Sequence, residues 1–219
     1  MAKLKEYKKT LKLTKFQRQV IIGSILGDVH IETLNGGRSY RMVFEQSKKH
    51  EAYLMHLYEI FKPFVLSFPK EIQKEKNGKV TKAIRFRTIT HPAFRFYGQL
   101  FYQNYVKCIP KNIHKLFNPV TLAYWYMDDG ALKGQNRTGK RLHTESFSFN
   151  DVKRLDEAMN RYGIETAIHR QTRIVGGAKK TYYILYITAN GDREFTSIIQ
   201  QYVIPEMMYK IKPTKLPKR

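Results

Sequence analysis

The chain has 219 residues, 42% of them apolar, which suits one large domain or two fused halves of about 100 residues each and excludes a disordered basic tail. Forty Lys and Arg against 18 Asp and Glu leave a net charge of +22, spread along the chain and interleaved with Tyr, Phe, Ile and Leu, so a polyanion is the expected partner. A single cysteine, Cys108, excludes an internal disulfide and a cysteine-based zinc site, and no apolar run approaches the roughly 18 residues of a membrane span.

Residues 1–13 read as a basic arm without the apolar stretch of a signal peptide, and with Glu6 but no Arg or Ser it makes a poor transit peptide. A helix should begin near Thr14, where Thr14-x-x-Gln17 forms a capping-box pattern, and run through Val20 to Gly27, ending near Asp28. Two strand-like runs follow around Asn35-Gly36-Gly37, then a helix over about 49–62 with Tyr53, Leu54, Leu57, Tyr58 and Phe61 at helical spacing. Two more strands flank Asn77-Gly78, and a helix from His91-Pro92 to about Asn104 leads into Ile109-Pro110. Cys108, set among Val106, Ile109 and Pro110, reads as a small buried apolar residue.

The same order then recurs. An apolar helix from Val120 to Met127 ends at Asp128-Asp129-Gly130, and strand-like runs flank a loop at 134–139. A helix starts at Asn150, two strands flank Gly176-Gly177, and a last helix runs from near Asn190 to about Tyr202, ahead of Ile204-Pro205. Asp28 and Asp129 lie 101 positions apart at matching places in this repeat. The predicted fold is α+β, with two pseudo-symmetric αββαββα halves over 14–112 and 113–211, a junction near 111–119 and a basic tail over 212–219.

Period-two alternation sorts the strands into faces. In Thr81–Ile89, Ile84, Phe86 and Thr88 share one face, with Thr81, Ala83, Arg85 and Arg87 opposite. In Ala167–Ile174, His169, Gln171 and Arg173 share a face, with Ile168 and Ile174 opposite. Arg and Gln bond base edges in a major groove that admits a two-stranded ribbon, so Arg85, Arg87, His169, Gln171 and Arg173, with Arg38 and Arg41 from the first hairpin, are the DNA-binding candidates. An ordinary solvated sheet face is the competing reading of any one strand.

Both apolar helices close on an aspartate, although an acid at a helix C-terminus opposes the macrodipole. Gly23 and Gly27 leave a bare stripe, and Ala123 offers a small residue on the second helix. If the two helices pack side by side, Asp28 and Asp129 become neighbours, and two such carboxylates call for a hard divalent cation.

The segments Ile21–Val29 and Leu122–Gly130 resemble two copies of the LAGLIDADG motif of homing endonucleases, the second copy the more specific. The likeness extends through Phe44-Glu45, Ser146-Phe147 and Ile204–Lys210. It implies a saddle-shaped DNA-binding sheet and Mg2+-dependent cleavage of both strands of double-stranded DNA (Mn2+ substituting), with short 3′ overhangs at a long asymmetric site. By position it implies Asp28 and Asp129 as catalytic acids and metal ligands, Gly27 and Asp128 beside them on the metal, and Lys107 and Lys210 near the scissile phosphates. Lys115 holds the repeat position equivalent to Lys210 and is a further candidate. Glu45 and Glu145 fall where polar active-site residues, commonly glutamine, lie; they ligate metal through water or only tune the pocket. Val29 in place of glycine and Met127 in place of an acid depart from the motif without removing a ligand. His91 and His143 read as structural or DNA-facing. Two motifs in one chain imply a monomer, with no membrane partner, and the family's usual encoding in organellar introns implies a mitochondrion or chloroplast. The alternative is a non-catalytic binder on the same scaffold, such as a maturase acting on intron RNA; the intact acid pair favours the nuclease.

Overall fold

The computed structural model describes residues 2–33, 36–76, 78–133 and 139–211. Asn35, Asn77, most of the loop expected at 134–139 and the basic tail at 212–219 lie outside the described residues. The chain divides into two compact units, Met1–Leu100 and Phe101–Arg219.

The first unit opens with a short helix, α1 (Ala2–Thr10), where the sequence suggested only an arm. It is held by contacts within its unit: the Tyr7 hydroxyl donates to the Pro63 carbonyl (2.8 Å) and the Lys8 ammonium to Thr90 Oγ1 (3.2 Å). His91 is structural, as expected: Nδ1 accepts from the Ala93 N–H, so Nε2 donates to the Lys8 carbonyl (2.9 Å). Helix α2 (Lys15–Leu26) starts at the predicted capping box, with Thr14 and Gln17 exchanging bonds and the Gln17 amide also donating to the Ile60 carbonyl. Its stretch Val20–Leu26 is buried throughout.

Strands β1 (His30–Thr33) and β2 (Tyr40–Ser47) form the first hairpin, α3 (Glu51–Phe61) follows, and β3 (Lys70–Lys76) and β4 (Lys79–Arg87) form the second. They make an antiparallel sheet in the order β1-β2-β4-β3. Phe44 stacks on Phe86 from the next strand (centroids 4.5 Å apart), and Phe61 of α3 packs on Phe44 at 5.0 Å. The inner face is therefore aromatic, which leaves Glu45, Arg85 and Arg87 on the outer face, as the alternation predicts.

Helix α4 (Arg95–Phe101) stops short of the predicted Asn104. A small hairpin of β5 (Tyr102–Gln103) and β6 (Val106–Lys107) replaces the last turn, with Asn104 and Tyr105 at φ 48° and 64°, the left-handed backbone that a tight two-residue turn demands. Cys108 is half-buried, and burial pushes its thiol pKa up.

The second unit repeats the plan. Helix α5 (Pro119–Asp129) is capped by Asn118, with proline in its first turn. Strands β7 (Gly130–Lys133) and β8 (Gly139–Leu142), helix α6 (Phe149–Arg161, capped by Ser148), strands β9 (Thr166–Val175) and β10 (Ala178–Ile187) and helix α7 (Ala189–Ile199) follow. The sheet order is β7-β8-β10-β9, the same topology as in the first unit. Trp125 and Tyr126 of α5 are fully buried, Tyr126 edge-on to Phe195 of α7. The β9–β10 ribbon stays paired to its glycine turn, and Ile174, expected on a covered face, is 75% exposed because the ribbon runs on past its supporting helix.

Candidate nucleic-acid interface and catalytic carboxylates

The two motif helices end differently. Helix α2 stops at Leu26; Gly27 and Asp28 form a turn in which the Val29 N–H reaches back to the Ser24 carbonyl, and the Asp28 side chain is exposed. Helix α5 continues through Asp129, which is half-buried, and hands over directly to β7. Gly130 is required there, since a Cβ would run into the ring and carbonyl of Tyr126. Val29 occupies the corresponding place after α2, where its buried side chain is accommodated.

In each unit a polar side chain meets the motif segment, at a carboxylate in the first and at backbone carbonyls in the second. The Gln46 amide donates to Asp28 Oδ2 at 2.9 Å. Gln46 is buried on the inner face of β2, beside Phe44, whereas Glu45 points the other way. Gln46 was missed in the sequence. Its signal was a polar residue at an inward-facing position of an otherwise apolar strand. Beside Asp129, the Lys210 ammonium donates to the carbonyls of Met127 and Asp128, at the negative end of α5. The Tyr126 hydroxyl donates to the Lys210 carbonyl (2.8 Å), fixing that segment, and burial pushes the Tyr126 pKa far up. Lys107 is half-buried in β6, paired in register with Tyr102. Lys115 lies exposed on a turn of 3-10 helix.

Glu45 and Glu145 are both engaged by basic side chains. Glu45 Oε2 accepts from Arg85 Nε (2.7 Å) and Nη2 (2.5 Å), and its other oxygen takes the Lys74 ammonium. Burial opposes ionisation of Glu45, but these bonds outweigh it and hold its pKa below the ordinary glutamate value. Glu145 Oε1 lies 3.2 Å from His143 Nδ1 and 3.4 Å from Arg173 Nη2; burial again works against ionisation, and its own backbone N–H, His143 and Arg173 overcome it.

The remaining candidates sit on the two sheets. Arg41 pairs with Glu32, Arg87 borders an open pocket with Lys70 and Phe68, and Arg38 is exposed beyond Gly37. His169 lies against the Tyr186 ring (4.2 Å), and Arg173 donates to Gln171 and lies over Tyr182. Lysine and arginine over tyrosine faces on this ribbon form a surface suited to a polyanion that also offers stacking partners.

A hard divalent cation fits these donors. Carboxylate oxygens stand at or just beyond the negative ends of two helices, and one of those ends already attracts an ammonium. Among the described residues, no three His, Cys, Asp or Glu side chains gather into a protein cage.

A model of the LAGLIDADG DNA endonuclease family matches residues 18–195. The DNA endonuclease I-ChuI of Chlamydomonas applanata is 32% identical over 213 residues, covering 92% of this chain and 96% of that protein. Cytochrome b mRNA maturase bI2 of Debaryomyces hansenii is 31% identical over 204 residues, covering 91% of this chain and 74% of its own. Among solved structures, the homing endonuclease I-WcaI bound to its DNA recognition sequence has a TM-score of 0.84 at 30% identity, covering 95% of this chain and 92% of that one.

Proposed function

The chain belongs to the LAGLIDADG DNA endonuclease family, and on that premise we propose that it is a site-specific homing endonuclease, acting as a monomer that makes metal-dependent double-strand breaks with short 3′ overhangs in a long asymmetric duplex. The observation that carries this reading is the pair of motif aspartates at matching places in the two units, Asp129 closing one apolar helix and Asp28 two residues past the end of the other, where the Gln46 amide meets its carboxylate. In the proposal, Asp28 and Asp129 hold Mg2+ (Mn2+ substituting), with the Gly27 carbonyl and Asp128 next to them, and each half serves one strand. A bound divalent ion supplies a Lewis acid and an activated water. The Gln46 amide orients Asp28, while Lys210, and Lys107 with it, place positive charge against the negative charge on the oxygens of the scissile phosphate. Lys115 joins them if the repeat equivalence holds for function. Arg38, Arg41, Arg85, Arg87, His169, Gln171 and Arg173 supply the duplex contacts. The halves are 14–112 and 113–211, between a basic N-terminal segment and a basic tail. The likeness to a cytochrome b maturase supports a product of an organellar intron.

A second reading, action on intron RNA as a maturase, is favoured by that same likeness and is compatible with the first. One experiment separates them. The purified chain is incubated with a library of long duplexes in Mg2+ and in EDTA, beside Asp129→Asn, and new ends are sequenced. Ends converging on one asymmetric site, lost in EDTA and in the variant, establish the nuclease. Absence of cutting, with strong retention of a labelled group I intron RNA added to a parallel binding reaction, establishes the binder.

A further inference from the structure

Acidic side chains on a surface that meets a polyanion repel it, and in a chain of net charge +22 they call for a reason. The outer face of the first sheet carries two, and each is spent in the same way. Glu32 stands opposite Arg41 in the β1–β2 register, and Glu45 opposite Arg85 in the β2–β4 register. In each pair one carboxylate oxygen takes the side-on edge of the guanidinium: Nε at 2.7 Å and Nη2 at 2.6 Å for Arg41, Nε at 2.7 Å and Nη2 at 2.5 Å for Arg85.

That choice of edge matters. A guanidinium has five N–H donors. A side-on bond uses the Nε hydrogen and one on Nη2, leaving both Nη1 hydrogens and the second Nη2 hydrogen for another acceptor pair. Two terminal nitrogens offered end-on form a fork that matches O6 and N7 of guanine in the major groove. Among the described residues, Arg85 Nη1 has no protein acceptor, and the side chain borders an open pocket that it shares with Lys70 and Arg87. Lys74 on the second oxygen of Glu45 leaves the three-residue cluster net positive, so the acid does not cancel the attraction for phosphate.

We propose that Glu45 is a specificity-determining positioning residue: it holds Arg85 end-on so that the free edge of the guanidinium reads one guanine of the target duplex. Glu32 and Arg41 are the same device one strand pair away. This rests on the reading of the sheet as the duplex-binding face. It replaces a metal-ligand role for Glu45, whose two oxygens are both taken by cations.

The test is selection from a randomised duplex library with Ca2+ in place of Mg2+, run on the full chain as wild type, Glu45→Ala and Arg85→Ala, with melting temperatures recorded beside it. Expected is a wild-type consensus containing one G·C pair whose discrimination falls about tenfold in both variants at the same position. All other positions stay unchanged, and the salt slope of Glu45→Ala becomes no shallower than wild type. If Glu45→Ala lowers the melting temperature while every base preference stays within about twofold of wild type, the pair is a structural ion pair of the ordinary surface kind and the proposal is overturned. If the two variants lose different positions, it is overturned as well. A wild-type chain that enriches no duplex overturns the nucleic-acid reading itself, and the proposal with it.

Discussion

Lys210→Met isolates the role of a single ammonium. Methionine keeps most of the aliphatic stem and its packing but removes the charge. In the structure that charge donates to the Met127 and Asp128 carbonyls, at the C-terminal end of α5. A bond to a charged donor contributes about 1.5–3 kcal/mol where it is well shielded, and a cation at a helix C-terminus adds about 0.3–1 kcal/mol. Lys210 is half-buried, so solvent competes for the ammonium and the joint effect should be near the low end, about 2 kcal/mol. For a chain of this size that lowers Tm by about 4–8 °C. Thermal melting of wild type, Lys210→Met and Lys210→Arg in low and in high salt is the assay. The arginine variant should recover most of the loss, because a guanidinium still donates to carbonyls. The gap should narrow in high salt as the charge–dipole part is screened. In the proposed role the methionine variant should also cut slowly while still binding duplex. A Tm within about 1 °C of wild type would mean that the ammonium is solvated and not seated on the helix end.

Gln46→Ala removes the donor to Asp28 Oδ2, and the strand served by Asp28 should be cut about tenfold more slowly, with the other strand unaffected. Nicked circles should therefore accumulate from a supercoiled target plasmid, and equal slowing on both strands would argue against a local role for the amide. Stability should also depend on acid. The pKa values of Glu32, Glu45 and Glu145 are lowered in the folded chain, so their contribution is complete above the ordinary glutamate value of about 4.3 and is lost as pH falls through the lowered folded values. The stability gap between wild type and Glu145→Gln should thus be widest near neutrality and close in that acid window; a gap independent of pH in denaturant titrations would contradict the assignment.

The periodicities of the sequence carried much of this protein. The capping box at Thr14 and the alternation that puts Arg85 and Arg87 on the face away from Phe86 are short-range signals, the repeat is a recurrence of such signals, and the structure keeps all three. Such signals persist because helix capping and strand pleating are decided within a few residues. Other features needed the tertiary structure. Adjacent strand residues face opposite ways, so which of Glu45 and Gln46 meets Asp28 turned on the sheet's packing against α3 and not on either residue's chemistry. The left-handed turn at Asn104 and Tyr105 cut α4 short, and contacts with Pro63 and Thr90, remote in sequence, hold α1 in place. Lys210 meets the end of α5 across more than eighty residues of chain. No local pattern can encode a contact between elements so far apart, because it exists only once both have folded against a common core.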